Sequence, residues 1–305
     1  MKPAPIVLFV YNRPYHTRQT VEALRKNELA SESKLVIYSD APKNSEAKQS
    51  VQEVREYIKS IAGFKKVTIV EREKNWGLAA NIIDGVTKIV NEYGKIIVLE
   101  DDLVTSPYFL KFMNEALEFY QDEKRVWHIS GWNYPIEADT SDGAFLWRVM
   151  NCWGWATWAD RWRNYEKDVD KLIGSFSKED IKRFNLDGIE NFWEQVLENQ
   201  KGEIDTWAIF WYASIFKHNG LCVNPVQSYV DNIGHDGSGT HCDDGGYCEM
   251  IVLNHHKSIC FESEIYENKM IVDKVKHFYS KQKKPFIIRS INKISRMLTG
   301  RNLIS

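Results

Sequence analysis

The sequence has few of the features that mark several large classes of protein. Its five cysteines are an odd number without a CxxC pair: Cys152, Cys222, Cys242, Cys248 and Cys260. This argues against a disulfide framework and against a four-cysteine zinc site. No run reaches the roughly 18 apolar residues that cross a bilayer, and the first apolar run, residues 6–11, is too short for a secretory signal. We therefore expect a cytoplasmic protein.

An excess of positive charge is also missing. The chain has 40 Lys and Arg residues and 42 Asp and Glu residues, which gives a formal net charge of -2. A nucleic-acid partner is not expected, because neutralising its phosphates requires a surplus of Lys and Arg. The length of 305 residues suits one large domain or two modest ones.

The first half alternates two apolar patterns. Four short runs rich in Val and Ile are typical of strands buried on both faces, namely residues 6–11, 35–38, 67–70 and 96–99. Between them, apolar residues recur at helical spacing, and Gly63 and Gly94 are candidate helix ends. These β-α-β units predict an α/β fold with a Rossmann-like, mainly parallel sheet flanked by helices.

Polar residues follow the predicted strands. Arg13 follows the first and could hold a phosphate, and Asp40 follows the second and could accept from a uracil-like base or a ribose. Glu100, Asp101 and Asp102, which we call the acidic triplet, follow the fourth. Because the carboxyl ends of parallel strands form the ligand edge of an open sheet, these side chains are expected at one site.

The acidic triplet needs an explanation, since three adjacent carboxylates repel one another. A divalent cation would neutralise them, and carboxylate oxygens suit Mg²⁺ or Mn²⁺, which can also take a diphosphate. The alternative is that the acids precede the N-terminus of a helix with Ser106 as N-cap and Pro107 at its first position. Both readings stay open on this segment alone.

The amino-acid composition of the chain changes near residue 126. Ten of the eleven Trp residues lie between Trp127 and Trp211, and indole faces can stack on sugar rings. We expect at most three of them to touch a ligand and the rest to be core. The candidates for ligand contact are Trp132, Trp153, Trp155 and Trp207.

A Gly-rich stretch, "DNIGHDGSGTHCDDGGYC", follows at residues 231–248 and is predicted to be a lid. His235 and His241 are candidates to complete a metal shell or to touch a diphosphate. A zinc site formed by His241, Cys242 and Cys248 is a weaker alternative.

The end of the chain, "KQKKPFIIRSINKISRMLTGRNLIS", carries seven Lys or Arg residues and no acid. It predicts a C-terminal basic helix with one apolar face. Such a helix suits an anionic membrane surface, and a docked terminal helix is an equal alternative. Peripheral contact with the inner face of the cell membrane is therefore expected from residues 263–305.

Five segments, "VLFVYNRPYHTRQTVEAL", "VIYSDAPK", "NWGLAANI", "IIVLEDDLVTSPYFLKF" and "IDTWAIFWYASIF", stand in the order found in glycosyltransferases of the GT-A fold. The sequence resembles the Golgi alpha-mannoside beta-1,2-N-acetylglucosaminyltransferase family and bacterial family 2-like polysaccharide glycosyltransferases. The resemblance covers residues 5–241. It is firm in the nucleotide half and looser after Trp127, where only short blocks align.

The resemblance implies a division of roles among the polar residues. Asp102 would be the ligand of a Mn²⁺ or Mg²⁺ ion, Asp101 would face the ribose, and Glu100 the donor sugar. Arg13 matches a residue near the diphosphate, and Asp40 matches the acid that reads uracil. These roles come from the family and not from the spacing of the residues.

Further site residues follow from the same resemblance. Asn75 and Asn81 lie where this chain departs from the eukaryotic pattern, and they are expected to contact the nucleotide. His241 is a candidate metal ligand. Asp205 matches the catalytic base of an inverting enzyme, although capping of the following helix is an alternative for this residue. Glu203 is the competing base.

Together these expectations describe a metal-dependent, inverting transferase. A hexosyl or N-acetylhexosaminyl group would pass from a nucleotide sugar, with UDP expected, to a glycan or lipid-linked saccharide in surface polysaccharide or glycan synthesis. Residues 1–125 would bind the donor, residues 126–262 the acceptor, and residues 263–305 would form the tail. The alternatives are a sugar nucleotidyltransferase, disfavoured because no glycine follows the first strand, and a non-catalytic carbohydrate-binding protein.

Overall fold

The computed structural model describes residues 2–136, 143–236 and 253–282. Its strands are β1 (Ile6–Val10), β2 (Lys34–Ser39), β3 (Lys66–Glu71), β4 (Lys95–Glu100), β5 (Leu103–Thr105), β6 (Val126–Ser130), β7 (Ala144–Trp147), β8 (Trp155–Trp158), β9 (Leu221–Pro225) and β10 (Val230–Asn232). Its helices are α1 (Pro14–Arg25), α2 (Lys48–Lys59), α3 (Leu78–Tyr93), α4 (Phe109–Phe119), α5 (Ala159–Trp162), α6 (Val169–Ser175), α7 (Lys178–Phe184), α8 (Trp193–Lys201), α9 (Ala208–Lys217) and α10 (Lys269–Gln282).

Eight strands form one sheet in the order β3-β2-β1-β4-β8-β6-β9-β7. The first four are parallel, β8 runs antiparallel to β4 and β6, β9 is parallel to β6, and β7 is antiparallel to β9. A separate ribbon pairs β5 with β10 in antiparallel fashion. This mainly parallel sheet with flanking helices confirms the predicted α/β fold, which is consistent with the GT-A architecture.

The four predicted strands of the first half are present as β1 to β4. Burial on both faces holds for β1, β2 and β4, whose apolar residues are inaccessible. It is wrong for β3, whose residues are half-buried or exposed because this strand forms an edge of the sheet. Gly94 is the C-cap of α3, as predicted, in a left-handed conformation (φ 82°). The C-cap of α2 is Ser60 and not Gly63.

The segment after the acidic triplet differs from the predicted helix start. The chain first forms β5, and α4 begins at Phe109 with Tyr108 as its N-cap. Ser106 accepts a hydrogen bond from the Tyr108 backbone N–H (3.3 Å) but is not the N-cap. The prediction of Ser106 and Pro107 as the helix start is therefore wrong, and capping no longer accounts for the three acids.

The Trp-rich half continues the same sheet. Strand β8 lies between β4 and β6, so that residues on both sides of the expected boundary at 125 pack in one core. Trp155 is fully buried and stacks on Trp207 (5.1 Å between ring centroids) and on His128 (5.4 Å). Most indoles are therefore core residues, as the sequence indicated.

Helix α10 packs on this half through Ile271, Val272 and Val275, which are buried. The predicted C-terminal basic helix falls on residues 283–305, which lie outside the described residues. Within the ranges that the structure describes, no helix is long and apolar enough to cross a bilayer.

Candidate active site

The carboxyl ends of β1 and β4 bring Arg13 onto the acidic triplet. The Arg13 guanidinium donates from Nη2 to Asp101 Oδ1 (2.5 Å) and to Asp102 Oδ2 (2.7 Å), and from Nε to Asp101 Oδ1 (3.2 Å). The Tyr11 backbone N–H donates to Asp101 Oδ2 (3.2 Å). Asp101 is thus held by two neighbours, while Asp102 has Arg13 alone as its side-chain partner among these contacts.

This cluster is nearly closed to solvent, with 17% of the Arg13 side chain and 15% of the Asp102 side chain exposed. Burial opposes the charged guanidinium, but the charges of Asp101 and Asp102 outweigh it and raise the pKa of Arg13. Burial raises the pKa of Asp101, and the Arg13 charge opposes this shift. Arg13 therefore supplies part of the positive charge that the triplet requires.

One arginine cannot neutralise three carboxylates. Burial, followed by repulsion from Asp102 and Asp101, raises the pKa of Glu100 to about 8. Burial, with a further contribution from Glu100, also raises the pKa of the Cys152 thiol to about 12. The surplus of negative charge at this edge suits a cation.

The expected cation would be bound by the single carboxylate of Asp102 and not by a site made of several protein side chains. In the described part of the chain, no group of three His, Cys, Asp or Glu side chains is arranged to hold a metal. Mg²⁺ and Mn²⁺ are commonly held by one or two carboxylates together with substrate phosphates and water. Asp102 can serve as such a single carboxylate, whereas His241 lies outside the described residues.

The guanidinium of Arg13 has a further polar atom, Nη1, which does not bind the acidic triplet. Its Nη1 atom is buried and has no hydrogen-bond partner among the described residues. A buried guanidinium N–H without an acceptor is costly, and a phosphate oxygen is an acceptor that matches arginine geometry. The same residue can therefore bridge the acidic triplet and an anionic ligand.

The raised pKa of Glu100 gives a testable pH dependence. The folded protein holds this proton more tightly than the unfolded chain, so that Glu100 costs stability progressively as the pH rises from about 4.5 towards 8. In the presence of a chelator, Glu100→Gln should unfold at higher temperature than the wild type at pH 8, and the gap should close at pH 5. Thermal unfolding across this range tests the effect.

The exposed Glu92 provides the matched control. Glu92→Gln should leave the unfolding temperature close to that of the wild type at both pH values. A Glu100→Gln variant whose unfolding temperature follows the wild type at every pH would show that Glu100 is charged without cost in the folded state.

Residues 230–236 pass against Asp102. The sequence predicted a lid in this region but not the pairing of its first residues as a strand. Strand β10 pairs with β5, and the Ile233 backbone N–H donates to the Asp102 carbonyl oxygen (2.9 Å). A Cβ atom on Gly234 would lie 2.3 Å from Asp102 Oδ2 and 3.1 Å from Arg13 Nη1. Only glycine lets the backbone approach the carboxylate this closely.

Two histidines are close to this segment. His235 packs edge-on against Trp153 (5.3 Å), and its buried Nε2 has no hydrogen-bond partner in the described ranges. His16 on α1 contacts Asp236 (Nε2 to Oδ2, 3.1 Å). The His16 contact was not predicted from the sequence, because it joins two segments that are far apart in the chain.

Asp40 is buried and already has several donors. Its oxygens accept from the backbone N–H groups of Trp76 (2.9 Å) and Gly77 (3.0 Å) and from the amide of Asn75 (3.2 Å). The Asn81 side-chain oxygen accepts from Arg72 (2.9 Å). Asp40 and Asn75 therefore hold the turn before α3, and Asn81 holds Arg72. No hydrogen bond or ion pair among the described residues joins these three predicted nucleotide contacts to the acidic triplet.

Asp205 lies in the turn before α9, with 70% of its side chain exposed and an ion pair to Lys167. It does not cap that helix, because Trp207 is the N-cap and no side chain caps it. The capping alternative is therefore wrong. Glu203 is also exposed and lies 3.9 Å from Lys201. No hydrogen bond or ion pair within the described ranges links Asp205 to the acidic triplet.

Of the four candidate indoles, Trp132 and Trp153 line a cavity of about 270 Å³, whereas Trp155 and Trp207 do not. Trp153 of this wall packs against His235 (5.3 Å between ring centroids), and His235 follows Gly234, which lies against Asp102. These contacts place the cavity beside the acidic triplet. A larger groove of about 510 Å³ lies between α1 and α2.

Residues 6–126 match the model of the family described as Glycosyl transferase family 2. The match covers less than half of the chain, but it contains Arg13, β1 to β4 and the whole acidic triplet. It supports sugar transfer as the activity to which this part of the molecule contributes. No protein of curated function matches the chain.

Two solved structures are similar to this chain at low identity. The structure of S. aureus TarS 1-349 has 10% identity and a TM-score of 0.41, and the match covers 74% of this chain and 59% of TarS. The Pyrobaculum calidifontis mannosyltransferase PcManGT, in complex with GDP-Man and Mn²⁺, has 10% identity and a TM-score of 0.41 over 72% of this chain and 70% of that one. The chain thus spans less than two thirds of TarS 1-349. The Golgi N-acetylglucosaminyltransferase resemblance stays a prediction.

Proposed function

We propose that this protein is a metal-dependent glycosyltransferase that moves a sugar from a nucleoside diphosphate sugar to a saccharide acceptor with inversion. The observation that carries the proposal is the contact of Arg13 with Asp101 and Asp102 at the carboxyl ends of β1 and β4. At this place the buried Nη1 of Arg13 has no hydrogen-bond acceptor among the described residues, and the carboxylates outnumber the positive charges. A diphosphate with its divalent cation would satisfy both.

In this proposal the residues divide the work of holding the donor. Asp102 holds a Mn²⁺ or Mg²⁺ ion, which stabilises the negative charge on the departing diphosphate. Arg13 donates from Nη1 to a phosphoryl oxygen, while Asp101 keeps the guanidinium in place through its short contact with Nη2. Glu100, beside the cavity, faces the sugar of the donor.

The proposal of a uridine nucleotide sets a specific requirement on Asp40. Both oxygens of this buried carboxylate accept hydrogen bonds from the turn before α3. Reading the uracil imide would require Asp40 to exchange the amide of Asn75 for the N–H of the base. Asn81 would act through Arg72, whose guanidinium it accepts from and which lies over the Trp76 ring (4.0 Å).

Asp205 is proposed as the base that deprotonates the acceptor hydroxyl, as the sequence resemblance implies. Asp205→Asn should lower transfer by about a hundredfold or more while the affinity for UDP and Mn²⁺ stays unchanged, because the amide keeps the shape and loses the basicity. Steady-state transfer and calorimetric UDP binding measure the two quantities. Loss of both, or loss of transfer only in Glu203→Gln, would contradict the assignment.

The proposed activity is tested by incubating the protein with a panel of UDP- and GDP-sugars, with Mn²⁺ or with a chelator, and measuring release of the nucleoside diphosphate. Release should require both a particular sugar nucleotide and the cation. If no nucleotide binds in either condition, or if release is equal in chelator, the proposal of a metal-dependent transferase fails.

The acceptor is proposed to be a glycan or lipid-linked saccharide. A cytoplasmic protein in peripheral contact with the inner face of the membrane would meet lipid-linked acceptors there. This part of the proposal is supported by the basic, acid-free sequence of residues 281–305 alone.

A further inference from the structure

A cavity of about 270 Å³ opens beside the acidic triplet, between residues 132–134, residues 149–153 and helices α8, α9 and α10. Trp132 and Trp153 form one part of its wall, and Val149, Met150 and Ile209 form another. Ligand pockets for drug-sized molecules usually enclose about 300 to 1,000 Å³. The space therefore suits a single ring better than an oligosaccharide.

Asn151 lies in the wall of this cavity and is 9% exposed. Its backbone oxygen accepts from His128 Nε2 (2.9 Å), and its Oδ1 accepts from the Tyr134 hydroxyl (3.2 Å). Its Nδ2 atom is buried and has no hydrogen-bond partner among the described residues. A buried amide N–H without an acceptor costs free energy, and an oxygen of a bound ligand would remove that cost.

His128 fixes the position of Asn151. Burial lowers the pKa of His128 to about 4, so that its ring is neutral at physiological pH. Trp211 Nε1 donates to His128 Nδ1 (3.2 Å), which leaves the proton on Nε2 for the Asn151 carbonyl. The amide is therefore presented by a rigid, fully buried support.

The charge of the lining sets the kind of ring that can bind. None of the described residues that line the cavity is charged. Outside the lining, the charges of Glu100 and Asp102 act on Cys152, and those of Arg148 and Glu267 act on Tyr212. Arg148 is already paired with Asp187 and Glu267. A carboxylate brought into this space would lose its hydration without a cationic partner and would be repelled by the triplet.

We propose that this cavity binds one sugar ring that carries neither a carboxylate nor a phosphate, and that Asn151 Nδ2 donates to an oxygen of that ring. The indole faces pack against its C–H groups. The inference deepens the proposed function, on which it rests, by defining the class of sugar. The ring is either the glycosyl group of the donor or the terminal residue of the acceptor, and the experiment separates these sources.

The test uses two matched pairs of probes in a tryptophan-fluorescence titration. Methyl β-D-glucopyranoside against methyl β-D-glucuronide represents the acceptor, and UDP-glucose against UDP-glucuronic acid, both with Mn²⁺, represents the donor. The neutral member of one pair should bind at least about tenfold more tightly than the acid. The pair that shows the preference identifies the source of the ring.

Two variants of the wall connect the preference to this cavity. Asn151→Leu should weaken binding of the neutral ring by about tenfold, since it removes the donor at similar volume, and should leave UDP binding unchanged. Gln195 lines the cavity from an exposed position on α8, so Gln195→Lys should fold normally. Its added cation should reverse the preference in favour of the acid.

The outcomes separate the two proposals. If neither pair shows a preference, or if Gln195→Lys leaves the preference unchanged, the cavity does not bind the ring. If neither UDP nor GDP binds with Mn²⁺ while the methyl glycosides are discriminated, the transferase proposal fails and the assignment of the cavity stands.

Discussion

Asp102→Asn is expected to abolish cation-dependent release of nucleoside diphosphate, by about a thousandfold or more. A bound cation contributes several kcal/mol to stabilising the charge of a departing group, and each 1.4 kcal/mol corresponds to a factor of ten. The amide keeps the size of the side chain but loses the negative oxygen proposed to bind the ion. Release should be followed at saturating Mn²⁺ with each accepted sugar nucleotide.

The fold of this variant should survive. Asp102 loses its ion pair with Arg13 (2.7 Å), but repulsion within the acidic triplet falls at the same time, so that the unfolding temperature should change little. Asp122→Asn, at an exposed position, is the matched control and should keep full activity. Cation-dependent release that persists in Asp102→Asn would place the cation elsewhere.

Arg13→Ala is expected to have the largest effect on stability. The nearly buried carboxylates of Asp101 and Asp102 would lose the positive charge of the guanidinium. Removing one partner of a buried ion pair typically costs about 3 kcal/mol or more. Without the Arg13 charge the folded-state pKa of Asp101 rises further above its unfolded value. The deficit in unfolding free energy should therefore be largest near pH 7.5 and shrink as the pH falls towards 4, where the carboxylates take up protons.

Urea unfolding at pH 7.5 and pH 5 measures this deficit. Adding Asp101→Asn to Arg13→Ala should recover part of the lost stability, because the amide needs no counter-charge. Arg25→Ala removes an exposed ion pair with Glu22 (2.6 Å) and should cost less than about 0.5 kcal/mol. An Arg13→Ala variant with wild-type unfolding at both pH values would contradict the role of the cluster.

The first half of the chain could be predicted because its signals are local. Val- and Ile-rich runs and helical spacing identify the β-α-β units directly, and parallel strands that end in polar residues identify the ligand edge. The meeting of Arg13 with Asp101 and Asp102 follows from that edge without knowledge of strand order. The partial exposure of β3 could not be predicted in this way, because the position of β3 at the edge of the sheet depends on which strands pair.

The remainder of the site depends on contacts that leave no local signal. The strands β5 and β10 have three residues each, too few for a periodic pattern, and their pairing joins segments far apart in the chain. Gly234 was visible only as one glycine in a Gly-rich loop. The engagement of Asp40 by Asn75 and Trp76 is likewise a property of the folded turn.

The indoles show the same limit in the other half. Their density predicted a core with few ligand contacts, and the structure places Trp155 and Trp207 inside that core. Which indoles reach the cavity depends on side-chain directions around β8 that a single sequence does not encode. The buried amide donor of Asn151, which has no partner among the described residues, was not predicted, since an isolated asparagine carries no motif.

The insertion of β8 between β4 and β6 also limits how this protein could be divided or recombined. A fragment ending near residue 126, as far as the family match extends, would leave β4 as an unprotected edge, open to aggregation. It would also lack Gly234, whose backbone covers the Asp102 carboxylate. A chimera that exchanges parts of this chain with a related protein would have to keep β8 and β10 together with β1 to β4. The unit that can be transferred is therefore defined by strand pairing and not by chain order.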